Sequence, residues 1–239
     1  MFWWEADISP EYLLKTKFTP SWMSKFYGLI LLPIIIIIIS LPFFLKDPVL
    51  GIFHLFQKSS NIYPYTGMFT YNIWSFIGWW VNDSTQFLGV TFQQIGIILF
   101  IISLLLITVP LLNKAYFKYN FSIYFAMSLS IMSFFMFLTR MHERYLFPFF
   151  AVFVITAFLK KSPALITIYL LLSLIHFANL WQPYFYYNYV FTNSQNSTFF
   201  LYNFLSQHSN WFSAINLLLF GVLILIYYKE FRLFKAKND

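Results

Sequence analysis

Six apolar segments follow one another along this chain, and its charged residues fall in the connections between them and at the ends. A helix needs about 20 apolar residues to cross the ~30 Å hydrocarbon core of a bilayer, and most of these segments approach that length. Because the chain is 60% hydrophobic and only 10% charged, its composition also excludes a soluble domain. We therefore predict an all-α integral membrane protein in which residues 1–239 form a single membrane domain with about six transmembrane helices. The predicted spans are residues 27–45, 94–112, 121–139, 145–159, 164–181 and 211–228.

Lysine is unevenly distributed among the connections between the predicted spans. The lead-in at residues 1–26, the connections 113–120 and 160–163, and the C-terminal tail all contain lysine. The alternate connections, 47–93 and 182–210, are poor in lysine and arginine. Because cytoplasmic loops carry an excess of these two residues, we predict a multi-pass cell-membrane protein with both termini cytoplasmic. The lead-in is then cytoplasmic or interfacial, and the two lysine-poor connections form an outer aromatic loop (47–93) and an outer polar loop (182–210).

Several functional classes are excluded by what the composition lacks. The chain has no cysteine and only 7 glycines, which argues against thiol chemistry, a Rossmann fingerprint and a phosphate-binding glycine loop. Its net charge of +7 comes from residues beside apolar segments, so we predict contact with membrane lipid and not with nucleic acid. The spacing of the histidines predicts no metal site. We predict no specific cofactor, and a requirement for a divalent metal stays open.

The outer aromatic loop contains two segments that are too short to cross a membrane. Residues 50–57 place apolar side chains at helical spacing, which predicts an amphipathic helix on the membrane surface. Residues 73–80 are apolar and rich in tryptophan, which is typical of a segment at the depth of the lipid headgroups. We therefore predict interfacial helices in this loop, with residues 73–80 packed back onto the membrane on the side of Arg144.

A charged cluster at residues 140–144 separates the third and fourth predicted spans and lies at the predicted outer face. It contains Arg140, His142, Glu143 and Arg144, and it opposes the rule that outer connections are poor in positive charge. Ionisable residues at this depth are costly, which favours a functional role. Arginine and protonated histidine bind phosphate well, so the cluster predicts a site for a phosphate carried on a long apolar tail. The alternative is an interfacial anchor, in which arginines reach the headgroups and Glu143 pairs with Arg140 or Arg144.

Two motifs in the chain resemble those of one family of membrane enzymes. The charged cluster lies in the stretch Met141–Pro148, whose sequence is MHERYLFP. Earlier come Tyr63–Tyr65, Thr70–Trp74 and Gly78–Trp80, followed by Asp83. In this order the two motifs resemble the polyprenyl-phosphate-sugar-dependent glycosyltransferases of the GT-C fold. Within that fold they are most similar to the bacterial mannosyltransferase-like proteins related to the GPI-anchor mannosyltransferases.

The resemblance implies transfer of a mannose-like hexose from a polyprenyl-phosphate sugar donor to an acceptor hydroxyl on the outer face. Members of that family are much longer, and their catalytic acidic residue lies in the first outer loop of an N-terminal half that has no counterpart here. We therefore expect this chain to be the C-terminal portion of such an enzyme, with a separate N-terminal half as partner and an unknown catalytic base. The implied site residues are Arg140, His142 and Arg144 for binding the lipid phosphate, Glu143 for orienting them, and Tyr65, Asn72, Trp74 and Asp83 as outer-loop candidates.

Two other functions stay open from the sequence alone. A transporter subunit for a lipid-linked sugar would place ionisable residues near the membrane midplane, and the predicted spans contain almost none apart from His176. A non-catalytic membrane fragment would contain the same spans without a working site. Activity as a hexosyltransferase therefore depends on completion by the N-terminal half.

Overall fold

The computed structural model describes residues 22–192 and 197–238. Residues 1–21, which make up most of the predicted lead-in, lie outside the described residues. The chain divides into a smaller unit that ends at Pro64 and a larger unit that begins at Tyr65. The helices are α1 Trp22–Ser40, α2 Pro48–Ile62, α3 Phe92–Thr108, α4 Lys114–Phe117, α5 Asn120–Phe137, α6 Phe147–Lys160, α7 Pro163–Thr192, α8 Ser197–Gln207 and α9 Ser209–Asn238. The short strands are β1 Gly67–Met68, β2 Gln86–Phe87, β3 Val90–Thr91 and β4 Met141–His142, and 3₁₀ turns occupy Ile73–Phe76, Val109–Leu112 and Glu143–Leu146.

The first helix of the smaller unit is as long as the predicted span at 27–45, with 19 residues, but it begins and ends five residues earlier. Helix α1 ends at Ser40, because Pro42 lacks an N–H and also disfavours helical geometry in the residue before it. Of its 19 residues, Ile30–Ser40 is the part whose apolar side chains the structure describes.

Helix α2 occupies the first part of the predicted outer aromatic loop. It begins after Asp47, whose side chain accepts a hydrogen bond from the N–H of Leu50 at 3.2 Å. Pro48 follows at the first helical position, where the missing N–H costs nothing. The helical spacing predicted over residues 50–57 is therefore present in the structure.

Four helical segments in the described part of the larger unit are long and apolar enough to cross a membrane. They are Phe92–Leu112, Asn120–Phe137, Pro163–Asn188 and Ser209–Lys237. They correspond to the second, third, fifth and sixth predicted spans, so the fold is that of an all-α, membrane-embedded protein, although six spans are not confirmed. The fourth predicted span, 145–159, corresponds to α6, which has 14 residues and rises about 21 Å.

The core of the larger unit is built around α5. This helix packs against α3, α6 and α9. Small side chains on it, such as Ser122 and Ala126, let neighbouring helices approach closely. The large side chains that α5 buries are Phe121, Phe125, Leu129, Met132, Phe135 and Met136. Helix α5 ends at Phe137, three residues before Arg140. The core around α5 therefore positions the start of the charged cluster.

The predicted outer polar loop at 182–210 is mostly helical, which corrects the sequence interpretation. Helix α7 continues through Pro183 to Thr192, and α8 follows at Ser197–Gln207. A polar contact joins the two helices, because the side-chain amide of Gln182 donates to the Ser206 hydroxyl at 3.1 Å. The polar composition of this stretch predicts a solvated connection, whereas the side chains of Gln182 and Ser206 bond each other within the protein.

Candidate functional site

Residues 65–75 of the predicted outer loop lie buried within the larger unit. Four of their side chains have essentially no exposed surface, and these belong to Thr66, Thr70, Tyr71 and Asn72. The apolar stretch 73–80 forms a single 3₁₀ turn at Ile73–Phe76 and not a transmembrane helix. This part of the loop therefore packs among the helices, and its backbone polar groups need partners there.

The end of α5 supplies two of those partners. The last four carbonyls of a helix lack partners within the helix. The side-chain amide of Asn72 donates to the Phe135 carbonyl at 3.1 Å, and the indole N–H of Trp74 donates to the Phe137 carbonyl at 2.8 Å. Gly96 of α3 makes this approach possible, since a Cβ there would lie 2.6 Å from the Phe137 oxygen. The loop thus caps the helix that leads into the charged cluster.

Two asparagines on other helices hold the loop from the opposite side. Asn179 of α7 accepts a hydrogen bond from the Tyr71 N–H at 3.3 Å and donates to the Phe69 carbonyl. Asn216 of α9 donates to the Tyr71 carbonyl at 2.9 Å. Phe69 has a φ of 54°, which is uncommon for a residue with a side chain. The loop conformation is therefore imposed by three spans at once.

A parallel pair of short strands joins the loop to the charged cluster. Strand β1 pairs with β4, and the register places Met68 beside His142. Just before β4, the N–H of Arg140 donates to the Tyr65 carbonyl at 2.8 Å, and Arg140 has a φ of 62°. Residues held in left-handed backbone conformations occur preferentially at functional sites. The two sequence motifs are thus bonded to each other along their backbones.

An ion pair connects the same two motifs through their side chains. Arg140 contacts Asp83 through two nitrogens, Nε to Oδ2 at 2.7 Å and Nη2 to Oδ1 at 3.3 Å. The Thr139 hydroxyl donates to the same carboxylate at 2.9 Å, and the Asp83 side chain is only 1% exposed. The sequence offered Glu143 as a partner for either arginine, and in the structure Glu143 pairs with Arg144 while Arg140 pairs with Asp83.

The remaining members of the cluster lie around one carboxylate. Glu143 begins the 3₁₀ turn, and its oxygens lie 3.3 Å from Nη1 of Arg144 and 3.8 Å from Nδ1 of His142. Burial alone would raise the pKa of Glu143, but the neighbouring imidazole of His142, a hydrogen bond from its own backbone and the charge of Arg144 hold that pKa below its usual value. Glu143 is therefore a buried anion that orients two cationic or potentially cationic groups.

Arg144 is the member of the cluster that reaches the surface. Its side chain is 58% exposed, against 17% for His142. Its guanidinium lies 5.6 Å from the centre of the Tyr145 ring, which is also exposed. A guanidinium has five N–H donors, and the contact with Glu143 cannot occupy them all. Arg144 is thus oriented from one side and accessible from the other.

The predicted site residues separate into two groups by this geometry. Those of the first group hold the loop against the helices and against β4, and they are Tyr65, Asn72, Trp74, Asp83 and Arg140. Those of the second group form one contiguous set with access to the surface, and they are His142, Glu143 and Arg144. The most exposed side chain among these residues is that of Arg144, in the second group.

Sequence reasoning missed three residues that build the site. Thr139 bonds Asp83, while Asn179 and Asn216 bond the buried loop. The two asparagines lie inside predicted apolar spans, where an isolated amide is costly unless a neighbouring segment pairs with it. An asparagine within an otherwise apolar span was therefore a signal available in the sequence.

A surface-facing guanidinium that a buried carboxylate orients has the chemistry needed to bind an anion. Within residues 22–192 and 197–238, no group of three His, Cys, Asp or Glu side chains is placed to hold a metal ion. The exposed rings of Tyr145 and Phe147 add apolar surface next to Arg144. No protein-family model, curated protein or solved structure matches this chain.

Proposed function

We propose that this chain binds the phosphate of a polyprenyl-phosphate sugar donor through Arg144 and His142, as a portion of a membrane hexosyltransferase. The observation that carries the proposal is the exposed guanidinium of Arg144, oriented by the buried carboxylate of Glu143 at 3.3 Å. Planar, fixed guanidinium groups suit bidentate recognition of phosphate. The resemblance of the two motifs to GT-C glycosyltransferases agrees with the direct bonding of those motifs in space.

Arg140 is excluded from the phosphate-binding set in this proposal. Its guanidinium contacts Asp83 through two nitrogens, and that carboxylate already compensates its charge. Arg140 instead positions the turn that carries Glu143 and Arg144. A lipid phosphate approaching from the membrane surface would meet Arg144 first, and its apolar tail could lie along the exposed rings of Tyr145 and Phe147.

The proposed reaction transfers a mannose-like hexose from the carrier phosphate to an acceptor hydroxyl at the outer face. The bond between the anomeric carbon and the phosphate oxygen breaks, so negative charge develops on the departing phosphate. A cationic group already fixed at that position stabilises the developing charge and lowers the barrier. Arg144 supplies this group, and His142 adds a second donor when protonated. The base that accepts the proton of the acceptor hydroxyl belongs to the proposed N-terminal half.

Binding of a long-chain polyprenyl phosphate to the chain in lipid nanodiscs tests the proposal. Replacing Arg144 by alanine removes a charge-assisted hydrogen bond of about 1.5–3 kcal/mol, so affinity should fall about 10- to 150-fold. Arg144→Lys should recover only part of the loss, because the planar fork is absent. Arg232→Ala is the matched control, since Arg232 is also exposed but lies near the far end of α9, and it should leave affinity unchanged.

The alternative is that the cluster anchors the protein among lipid headgroups. In that case Arg144→Ala would leave carrier binding intact and would lower the thermal stability of the chain in the membrane. That result would contradict the proposed function. An equal loss of affinity in Arg144→Ala and Arg232→Ala would also contradict it, because it would indicate attraction to net positive charge alone.

A further inference from the structure

One buried polar side chain near the cluster has no part in the site described so far. His176 lies in the middle of α7 and is only 5% exposed. Among the residues that the structure describes, neither Nδ1 nor Nε2 of its ring has a hydrogen-bond partner. A buried polar group without a partner costs free energy, and each such group in a native protein requires an explanation.

The surroundings of His176 place it behind the charged cluster. Its ring stacks on Phe150 with centroids 4.9 Å apart, and the ring of Phe147 lies 6.1 Å away. Phe147 begins α6 directly after the 3₁₀ turn that contains Glu143 and Arg144, and α7 packs against that turn. Phe147 itself is 63% exposed. The imidazole is therefore next to an exposed aromatic ring that follows the turn containing Arg144.

The chemistry of the imidazole limits what could satisfy both nitrogens. A neutral imidazole has one donor and one acceptor. An ionised phosphate supplies acceptors only, so it can satisfy the ring N–H but not the other nitrogen. A hydroxyl group both donates and accepts, so it can bond either nitrogen in either tautomer. Because the two nitrogens point in diverging directions, one sugar hydroxyl satisfies one of them. A sugar hydroxyl can therefore pair with the unprotonated nitrogen, which a phosphate oxygen cannot.

We propose that His176 binds a hydroxyl of the sugar on the polyprenyl-phosphate donor. This inference rests on the proposed function, because it places the carrier phosphate at Arg144 and the sugar deeper, toward α7. Binding there requires displacement of the Phe147 side chain, which is 63% exposed and lies 6.1 Å from the imidazole. His176 then distinguishes a sugar-loaded carrier from the bare carrier, whereas Arg144 binds both.

The test compares two ligands, a polyprenyl-phosphate mannose and the bare polyprenyl phosphate, with the whole chain in nanodiscs. His176→Phe keeps a flat ring and removes both nitrogens. It should weaken binding of the mannose-bearing carrier about two- to tenfold, the range of neutral hydrogen bonds, and leave the bare carrier unaffected. His176→Asn retains a donor and an acceptor and should lose less affinity for the loaded carrier. His176→Leu provides a second apolar replacement in case the phenylalanine variant does not fold.

The controls separate this inference from the function on which it rests. Arg144→Ala should weaken both ligands to the same extent. If it does so while His176→Phe and His176→Leu change neither ligand, His176 is a packed core histidine and the inference is wrong. If the His176 variants weaken both ligands equally, the contact is not with the sugar and the inference is also wrong. If Arg144→Ala affects neither ligand, the proposed function fails and this inference fails with it.

Discussion

Arg140 and Arg144 carry the same chemical group and have different environments. Arg140 is bonded to a carboxylate that is almost fully buried, whereas Arg144 contacts a carboxylate from one side and is exposed on the other. The sequence placed both arginines in one phosphate-binding cluster. The sequence alone does not show that the two arginines have different roles. The partner of Arg140 is Asp83, which is distant in the chain and adjacent only in the fold.

The ion pair between Asp83 and Arg140 should stabilise the protein more than the exposed contacts of Arg144 do. Removing one partner of a buried pair leaves an uncompensated charge and typically costs about 3–5 kcal/mol. Arg140 is 22% exposed, so we expect Arg140→Ala to lie near the lower end of that range. In detergent, the midpoint temperature of thermal unfolding should fall strongly for Arg140→Ala and only slightly for Arg144→Ala.

The double variant Asp83→Ala/Arg140→Ala is the control for this prediction. It removes both charges, so it should be less destabilised than the sum of the two single variants. Strict additivity would mean that the two side chains do not interact, and the proposed connection between the two motifs would lose its main support.

Hydropathy predicted the long apolar spans. It did not predict the helix extension and the loop whose polar groups are bonded within the protein. Helices α3, α5, α7 and α9 contain apolar runs near the length of a bilayer core, and each was predicted. The extension of α7 beyond residue 181 was missed, because its polar groups find partners in α8 that composition does not reveal. The burial of residues 65–75 was missed for a similar reason, since the loop bonds to backbone carbonyls at the end of α5, and backbone partners leave no signature in sequence.

Gly96 should be required for the close approach of α3 to the end of α5. A Cβ at this position would lie 2.6 Å from the Phe137 carbonyl oxygen and 3.1 Å from Cζ2 of Trp74. Because a backbone atom cannot move aside cheaply, Gly96→Ala should destabilise the protein by about 1–3 kcal/mol, despite the higher helix propensity of alanine. Unfolding by heat or denaturant in detergent provides the measurement.

Gly221→Ala is the matched control, since Gly221 is also helical and a Cβ there meets nothing within 4 Å. It should be neutral or slightly stabilising, because alanine favours the helix. Equal effects of the two substitutions would show that the packing at Gly96 is not tight, and the account of how the loop caps α5 would have to change.

Within the larger unit, the two ends of α9 contact different kinds of residue. Near its start, Ser213 bonds Ser75 of the buried loop, and near its finish Glu230 pairs with Lys160. Tyr116, between Lys114 and Lys118, contacts Phe231 and Phe234 at this second end. The lysines of the two short connections, which are Lys114, Lys118, Lys160 and Lys161, therefore belong to it. The charged cluster is thus at the end opposite these lysines. That arrangement supports the prediction that the cluster faces outward, because lysine accumulates on the cytoplasmic side.

The proposed function depends on direct contact between the guanidinium of Arg144 and the carrier phosphate in the membrane. The chain contains only three arginines, Arg140, Arg144 and Arg232, so ¹⁵N labelling of arginine side chains gives few signals to assign. Solid-state NMR that measures ³¹P–¹⁵N dipolar coupling to a bound polyprenyl phosphate tests the contact directly. We predict coupling at hydrogen-bonding distance to the Arg144 nitrogens, which disappears in Arg144→Lys, and no such coupling to Arg232. Absence of coupling to Arg144, with the carrier bound, would contradict the proposed site.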